Sequence, residues 1–258
     1  MKNKYAGLIL WVSVSLFLYS VSCTSLKDKV LKENPDFEKS ADKFILTTPI
    51  KVNSSSSNKF VIEDISSNIT YEVEVDVEDP LTEVDVMENY QNGDKQISKT
   101  KEFTALKFFV QNPFNDIEYE VIGKVTRFKT IEEEEKESFE SGDLNYPIEF
   151  WIFKDARDAG KITVYEPTLS LSQKIYISFN DNQVEVEYQN MLNKKTFLFN
   201  DDKGLIALIG LKPKGTVATR MTGDFLIKKG ISENFRSDII SMYLMSESAF
   251  GVIQEGPF

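Results

Sequence analysis

The sequence predicts a mainly β protein: an antiparallel closed barrel or sandwich carrying one apolar C-terminal helix. Three observations predict it. Tyr71 to Val77 alternates strictly, with Tyr71, Val73, Val75 and Val77 on one face and acids on the other, the pattern of a half-buried strand. Two hairpins follow later, Lys174 to Tyr188 and Thr196 to Ile209, each folded about an Asn/Asp-rich turn. Finally, Glu233 to Ala249 recurs at helical spacing through Phe235, Ile239, Met242 and either Met245 or Leu244. Its middle, Ile239 to Met245, is apolar nearly all round, so it packs inside or across a β body.

In chain order, Ala6 to Leu18 is an uncharged, mostly apolar run behind Lys2 and Lys4. A membrane-spanning helix needs about 20 apolar residues, so the run is too short to cross and fits the core of a secretory signal. Small residues then lead into Cys23, the single cysteine of the chain. Thr24 to Asn58 reads as a flexible tether, charged early, interrupted by Pro35 and Pro49, and closed by a serine run. A short helix is expected between Asp36 and Phe44. The expected division is residues 1–22 as signal peptide, 23–58 as lipidated tether and 59–258 as a β-rich globular domain.

From Phe60 the period-two pattern takes over. Asn92-Gly93 marks a turn, and Phe103 to Val110 is a strand ending at Asn112-Pro113. Ile117 to Phe128 is the next strand, with Gly123 marking a bulge. Ile131 to Asn145, dominated by Glu132 to Glu135 and Glu137, reads as a solvated loop or short exposed helix. Ile148 to Phe153 and Lys161 to Tyr165 are strands. Asn200 to Gly204 is a turn and not a calcium loop, because Leu211 stands where the distal bidentate acid is needed. Phe225 to Ile227 is a short strand, and Ser232 is a good N-cap for the last helix. Two small β domains divided near residue 145 are the alternative organisation.

The residues around Cys23 (Tyr19, Ser20, Val21, Ser22) resemble the lipobox of bacterial lipoproteins. That resemblance implies a diacylglycerol thioether at Cys23, cleavage just before it and acylation of the new N-terminus. The usual lipobox has Leu three residues before the cysteine; here Ser20 holds that place, as in the relaxed lipoboxes of spirochaetes. It implies a lipid-anchored protein of the bacterial envelope. Thr24 after the cysteine resembles an outer-membrane sorting signal. The hairpins, Gly223 to Ile227 and the helix from Ser232 also look like the tubby-like barrel superfamily, which includes scramblase-like and LURP-one-related proteins. Over residues 60–255 that likeness implies a roughly twelve-stranded closed barrel around a central helix.

Composition narrows the function. Without residues 1–22, 41 acids face 28 bases. Such a surface disfavours nucleic acid, whose phosphates demand a basic one, and a broad electrostatic grip on anionic lipid. With no histidine and no second cysteine, imidazole acid–base chemistry and disulfides are excluded, and a metal site is not expected. No cofactor or catalytic residue is assigned. Lys212, Lys214, Arg220, Lys228 and Lys229 are the basic concentration of the second half, read as scattered surface lysines. The expected function is a non-catalytic binding or structural role in the envelope, with a protein or lipid as ligand. The alternative is a carboxylate-dependent, glycosidase-like hydrolase, for which Glu118, Glu120, Glu149 and Asp155 are candidates without a motif to select them.

Overall fold

The computed structural model describes residues 26–53, 58–92, 95–134, 137–167, 172–191, 194–215 and 219–255. Helix α1 (Leu26–Glu33) precedes fourteen strands. These are β1 (Ala41–Pro49), β2 (Asn58–Asp64), β3 (Ile69–Val77), β4 (Leu81–Asn92), β5 (Lys95–Gln111), β6 (Glu118–Glu134) and β7 (Glu137–Leu144). They continue with β8 (Ile148–Lys154), β9 (Arg157–Val164), β10 (Ser172–Phe179), β11 (Asn182–Met191), β12 (Lys194–Asp201), β13 (Gly204–Pro213) and β14 (Arg220–Lys228). Helix α2 (Glu233–Glu255) is last.

The barrel closes through one long hairpin. Going round from β5, the order is β3, β2, β1, β14, β13, β12, β11, β10, β9, β8 and β6, and β6 pairs back onto β5. All neighbours in this ring of twelve are antiparallel. Near their connection, β5 and β6 belong to the ring: Phe108 to Val110 pair with β3, and Glu120 to Lys124 pair with β8. Their far halves leave it. There β4 pairs along Lys95 to Ala105 of β5, and β7 pairs with Arg127 to Glu134 of β6. The result is a four-stranded sheet, β4-β5-β6-β7, continuing beyond the wall.

Alternation decides what faces in. On β3, Val73, Val75 and Val77 are buried while Glu72, Glu74 and Asp76 between them are exposed. The β10–β11 turn places Asn180 and Asp181 at positive φ, 48° and 66°, the backbone a tight type I′ hairpin requires. Both hairpins of the second half pair as the sequence predicts.

The space inside is filled by α2. Ser232 Oγ accepts the Phe235 amide (3.2 Å) and caps its start. Every residue from Ile239 to Ile253 is buried, so no face of that length meets water. The Tyr243 ring lies against Phe60 of β2, Phe197 of β12 and Phe225 of β14, at centroid distances of 6.4, 5.3 and 5.7 Å. Phe250 stacks on Tyr188 of β11 at 4.2 Å. Buried serines on α2 are satisfied locally: Ser246 and Ser248 donate to Met242 O and Leu244 O, both at 2.7 Å. The helix extends beyond Ala249, where the apolar spacing in the sequence ends.

Four sequence expectations change. The segment 23–58 is not a tether throughout. α1 lies on the outside of the barrel, where Leu26, Val30, Leu31 and Phe37 cover Leu198, Leu208 and Leu226, and β1 is a wall strand between β2 and β14. The globular domain therefore begins well before residue 59. Pro49 misled because it ends a strand, where a proline is tolerated. The expected helix between Asp36 and Phe44 is a turn followed by β1; the helix is earlier, at α1. Most of Ile131 to Asn145 is strand and not loop or helix: β6 runs to Glu134 and β7 returns from Glu137 to Leu144 in register, while residues 135–136 lie outside the described residues. Gly123 marks no bulge, for β6 stays in register with β5 and β8 there. A Cβ at Gly123 would come within 2.3 Å of the Phe150 ring, so glycine makes room for a core aromatic.

Candidate functional site

Cys23 lies outside the described residues, as do Asn92's partner in the expected turn, Gly93, and the serine run at 54–57. What is described is how the chain three residues after Cys23 is held. Lys27 reaches over Gly210 of β13 and donates to Asp224 of β14 at 2.9 Å, and Lys43 of β1 meets the same carboxylate at 3.0 Å. Burial works against the charge on Asp224, but the bonds from Lys27 and Lys43 outweigh it and hold the carboxyl below its ordinary range.

The five basic residues of the second half do not form one patch. Lys212, Lys214 and Arg220 sit at one end of the β13–β14 hairpin, where Lys214 N bonds Arg220 O at 2.9 Å. Lys228 and Lys229 are at the other end, opposite Ala41 and Ser40. Charge is nonetheless sorted by strand. Residues 26–51 and 194–229, which make α1 and the neighbouring strands β1, β14, β13 and β12, carry 14 Lys and Arg against 8 Asp and Glu. Residues 52–193 and 230–258 carry 14 against 33. The barrel has a basic side, under α1, and an acidic remainder that includes the projecting sheet.

The hydrolase candidates are partly brought together. Glu118, Glu120 and Asp155 line an open groove of about 530 Å³ on the outer wall, with Lys107 and Lys154 beside them. Lys107 bridges Glu120 and Glu78 at 3.0 and 3.1 Å, and those two bonds hold its ammonium above the ordinary range. Glu149 is elsewhere, on the outer face of β8, bonded to Lys161 at 2.5 Å. The described carboxyl that burial pushes upward is Asp238, near the start of α2, which accepts from Asn180 (3.0 Å) and Asn182 (3.1 Å). Among the described residues no group of three or more His, Cys, Asp or Glu is placed to hold a metal.

Among the described residues, the inside of the barrel holds a charged pair that the sequence reading missed. Glu247 of α2 bonds Lys195 of β12, whose ammonium also donates to Ile50 O at 3.0 Å. Burial, then the charge of Glu247, pushes the Tyr188 and Tyr243 phenols upward. Glu247 Oε2 and Tyr243 Oη make no hydrogen bond to another described group. The one signal in the sequence was Ser246-Glu247-Ser248 interrupting an otherwise apolar helix. At the other end, buried Asn112 donates to Ser237 Oγ (2.7 Å) and Ser241 Oγ (2.9 Å), tying the β5–β6 connection to α2.

The surface most open to a partner is the projecting sheet. All twelve residues of β4 are exposed, and β4 pairs only with β5. At the base of this sheet a groove of about 890 Å³ is lined by Arg127, Lys129, Asp143, Tyr146 and Glu166. Lys129 is nearly buried there and bonds Glu102 at 3.2 Å. Aromatics follow the apolar phase into the core with exceptions on the outer wall: Trp151, Tyr165 and Tyr176 are exposed, with Tyr176 Oη donating to Glu185 at 2.6 Å.

The outer faces carry charged residues at mid-strand, such as Glu74, Lys107, Glu120, Lys161 and Glu185, where a membrane-spanning barrel presents an apolar band. Among the described residues no helix is long and apolar enough to cross a membrane. No family model, no curated protein and no solved structure matches the chain.

Proposed function

We propose that this chain is a lipid-anchored protein of a bacterial envelope, held at Cys23 and serving as a non-catalytic binding module. The observation that carries the binding role is the filled interior. With α2 buried along Ile239 to Ile253, the described residues fill the barrel interior, so recognition belongs to its outside and to the projecting sheet. The closed barrel around a C-terminal helix also supports the tubby-like reading of the fold, from which no ligand follows.

The anchor reading rests on the lipobox-like residues before Cys23. Leu26 is already packed on the wall, and three residues of extended chain reach about 10 Å at most, so a lipid at Cys23 would be tied close to the barrel. Such a short connection holds the basic side of the barrel, under α1, toward the membrane and the acidic projecting sheet away from it. Two or more acyl chains give a stable anchor where one is marginal. Metabolic labelling with a fatty acid tests it: the expected result is label in the wild type and none in Cys23→Ser, which leaves the membrane fraction. A Cys23→Ser protein that still labels and still sediments with membrane refutes the anchor.

A further inference from the structure

We infer that the free edge of β4 is a docking site for an extended, basic segment of another protein, which adds to the projecting sheet as a fifth strand. The inference rests on the binding role proposed above, not on the lipid anchor. It begins with the edge itself. β4 is twelve residues long, about 40 Å of strand, and hydrogen-bonds on one side only. Among the described residues no strand pairs with its other side, which leaves an edge for strand addition. Its side chains are apolar to an unusual degree for an exposed edge: Leu81, Val84, Val86 and Met87 are 73, 53, 65 and 56% exposed.

Charge selects the occupant. The charged residues of β4 are Glu83, Asp85 and Glu88, with no base among them. Glu88 is taken by Lys99 of β5 at 2.7 Å. Glu83 and Asp85 have no ion-pair partner among the described residues, although Asp85 stands opposite Lys101, whose ammonium lies instead over the Phe103 ring at 4.7 Å. A second copy of this chain is a poor occupant. β4 against β4 sets acids beside acids, and the other free edge, β7, carries Glu137, Glu140 and Asp143, again without a base. An incoming strand with Lys or Arg alternating with apolar residues meets both needs. Its cations lie beside Glu83 and Asp85, and its apolar residues lie beside Val84 and Val86 on the opposite face.

The test uses the full chain in detergent solution and a fluorescent peptide matched to β4 in length, alternating lysine with valine. Two control peptides replace lysine by glutamate or alternate valines by proline. The lysine–valine peptide is expected to bind and to slow amide exchange along Leu81 to Asn92. Neither control binds. Glu83→Lys with Asp85→Lys weakens binding about tenfold, with an unchanged melting temperature because both side chains are exposed. Failure of the lysine–valine peptide to bind overturns the inference, leaving the acids only to keep the edge from self-pairing. Equal binding of the proline peptide, or protection elsewhere than β4, also overturns it, since charge alone is then being read. The titration contains no membrane, so its failure is distinct from failure of the anchor at Cys23.

Discussion

Lys195 is the residue whose loss the barrel should tolerate least for its size. Its side chain is 12% exposed and that of its partner, Glu247, is 2% exposed. Truncating one member of such a pair leaves the other charge buried without compensation, which costs about 3–5 kcal/mol. In Lys195→Met the Ile50 carbonyl also loses its donor, adding about 1 kcal/mol. Whole-domain stabilities are about 5–15 kcal/mol, so the variant should fold weakly or not at all at 37 °C. Lys195→Met with Glu247→Leu removes both charges, and stability should return to within about 1–2 kcal/mol of wild type, or exceed it. Urea denaturation followed by tryptophan fluorescence measures all four corners of the cycle. The reasoning fails if Lys195→Met costs under about 1 kcal/mol, as for an exposed pair, or if the double variant is no better than the single one.

Other consequences are smaller. The carboxyl of Asp224 is held below its ordinary range, so its contribution is complete above about pH 4, the unfolded value, and is lost as pH falls through the lower folded value. Amide exchange in α1 should therefore be steady from pH 5 to 8 apart from the intrinsic rate, and Asp224→Asn at neutral pH should accelerate it several-fold, reflecting about 1 kcal/mol for a partly exposed site. Gly123→Ala should cost about 1–3 kcal/mol by denaturation, because the new methyl meets the Phe150 ring, and Phe150→Leu should recover part of it. In acylated protein on anionic vesicles, a spin label at Lys212 should be quenched by a membrane-bound relaxer and one at Tyr90 should not; equal quenching contradicts the orientation.

The parts of the fold legible in the sequence are those where local pattern and final environment agree. β3 alternates because one face is core and the other is water. The β10–β11 hairpin announces itself because Asn180 and Asp181 tolerate the positive φ its turn imposes. The β6–β7 ribbon was not legible because its glutamates are poor strand formers taken alone. The ribbon is supported instead by cross-strand pairs to β5: Lys95 meets Glu132 at 3.7 Å, and Lys129 meets Glu102 of β5. α1 was equally opaque. It has no buried residue of its own and gains its place from Leu198, Leu208 and Leu226, far away in sequence. Of the candidate site, the acids of β4 were visible as residues. That they line a free edge depends on β5 and β6 pairing along their full length, which no local pattern declares.

Net charge shows the same limit in its sharpest form. A chain with 41 acids and 30 bases reads as uniformly acidic, and on that reading an approach to anionic lipid is disfavoured. The fold undoes the average. Strands β12, β13 and β14, late in the chain, close against β1, early in it, and α1 crosses them, so bases from both ends of the sequence collect on one side. Screening acts over about 8 Å at physiological salt, far less than the width of a twelve-stranded barrel. A partner at one side therefore responds to the charges of that side and hardly at all to the total. The basic side adjoins the residues that follow Cys23, and the acidic sheet lies elsewhere on the ring. One protein can in this way favour an anionic surface beside α1, where the proposed anchor would place it, and a cationic strand at β4, two preferences that a single net charge would make contradictory.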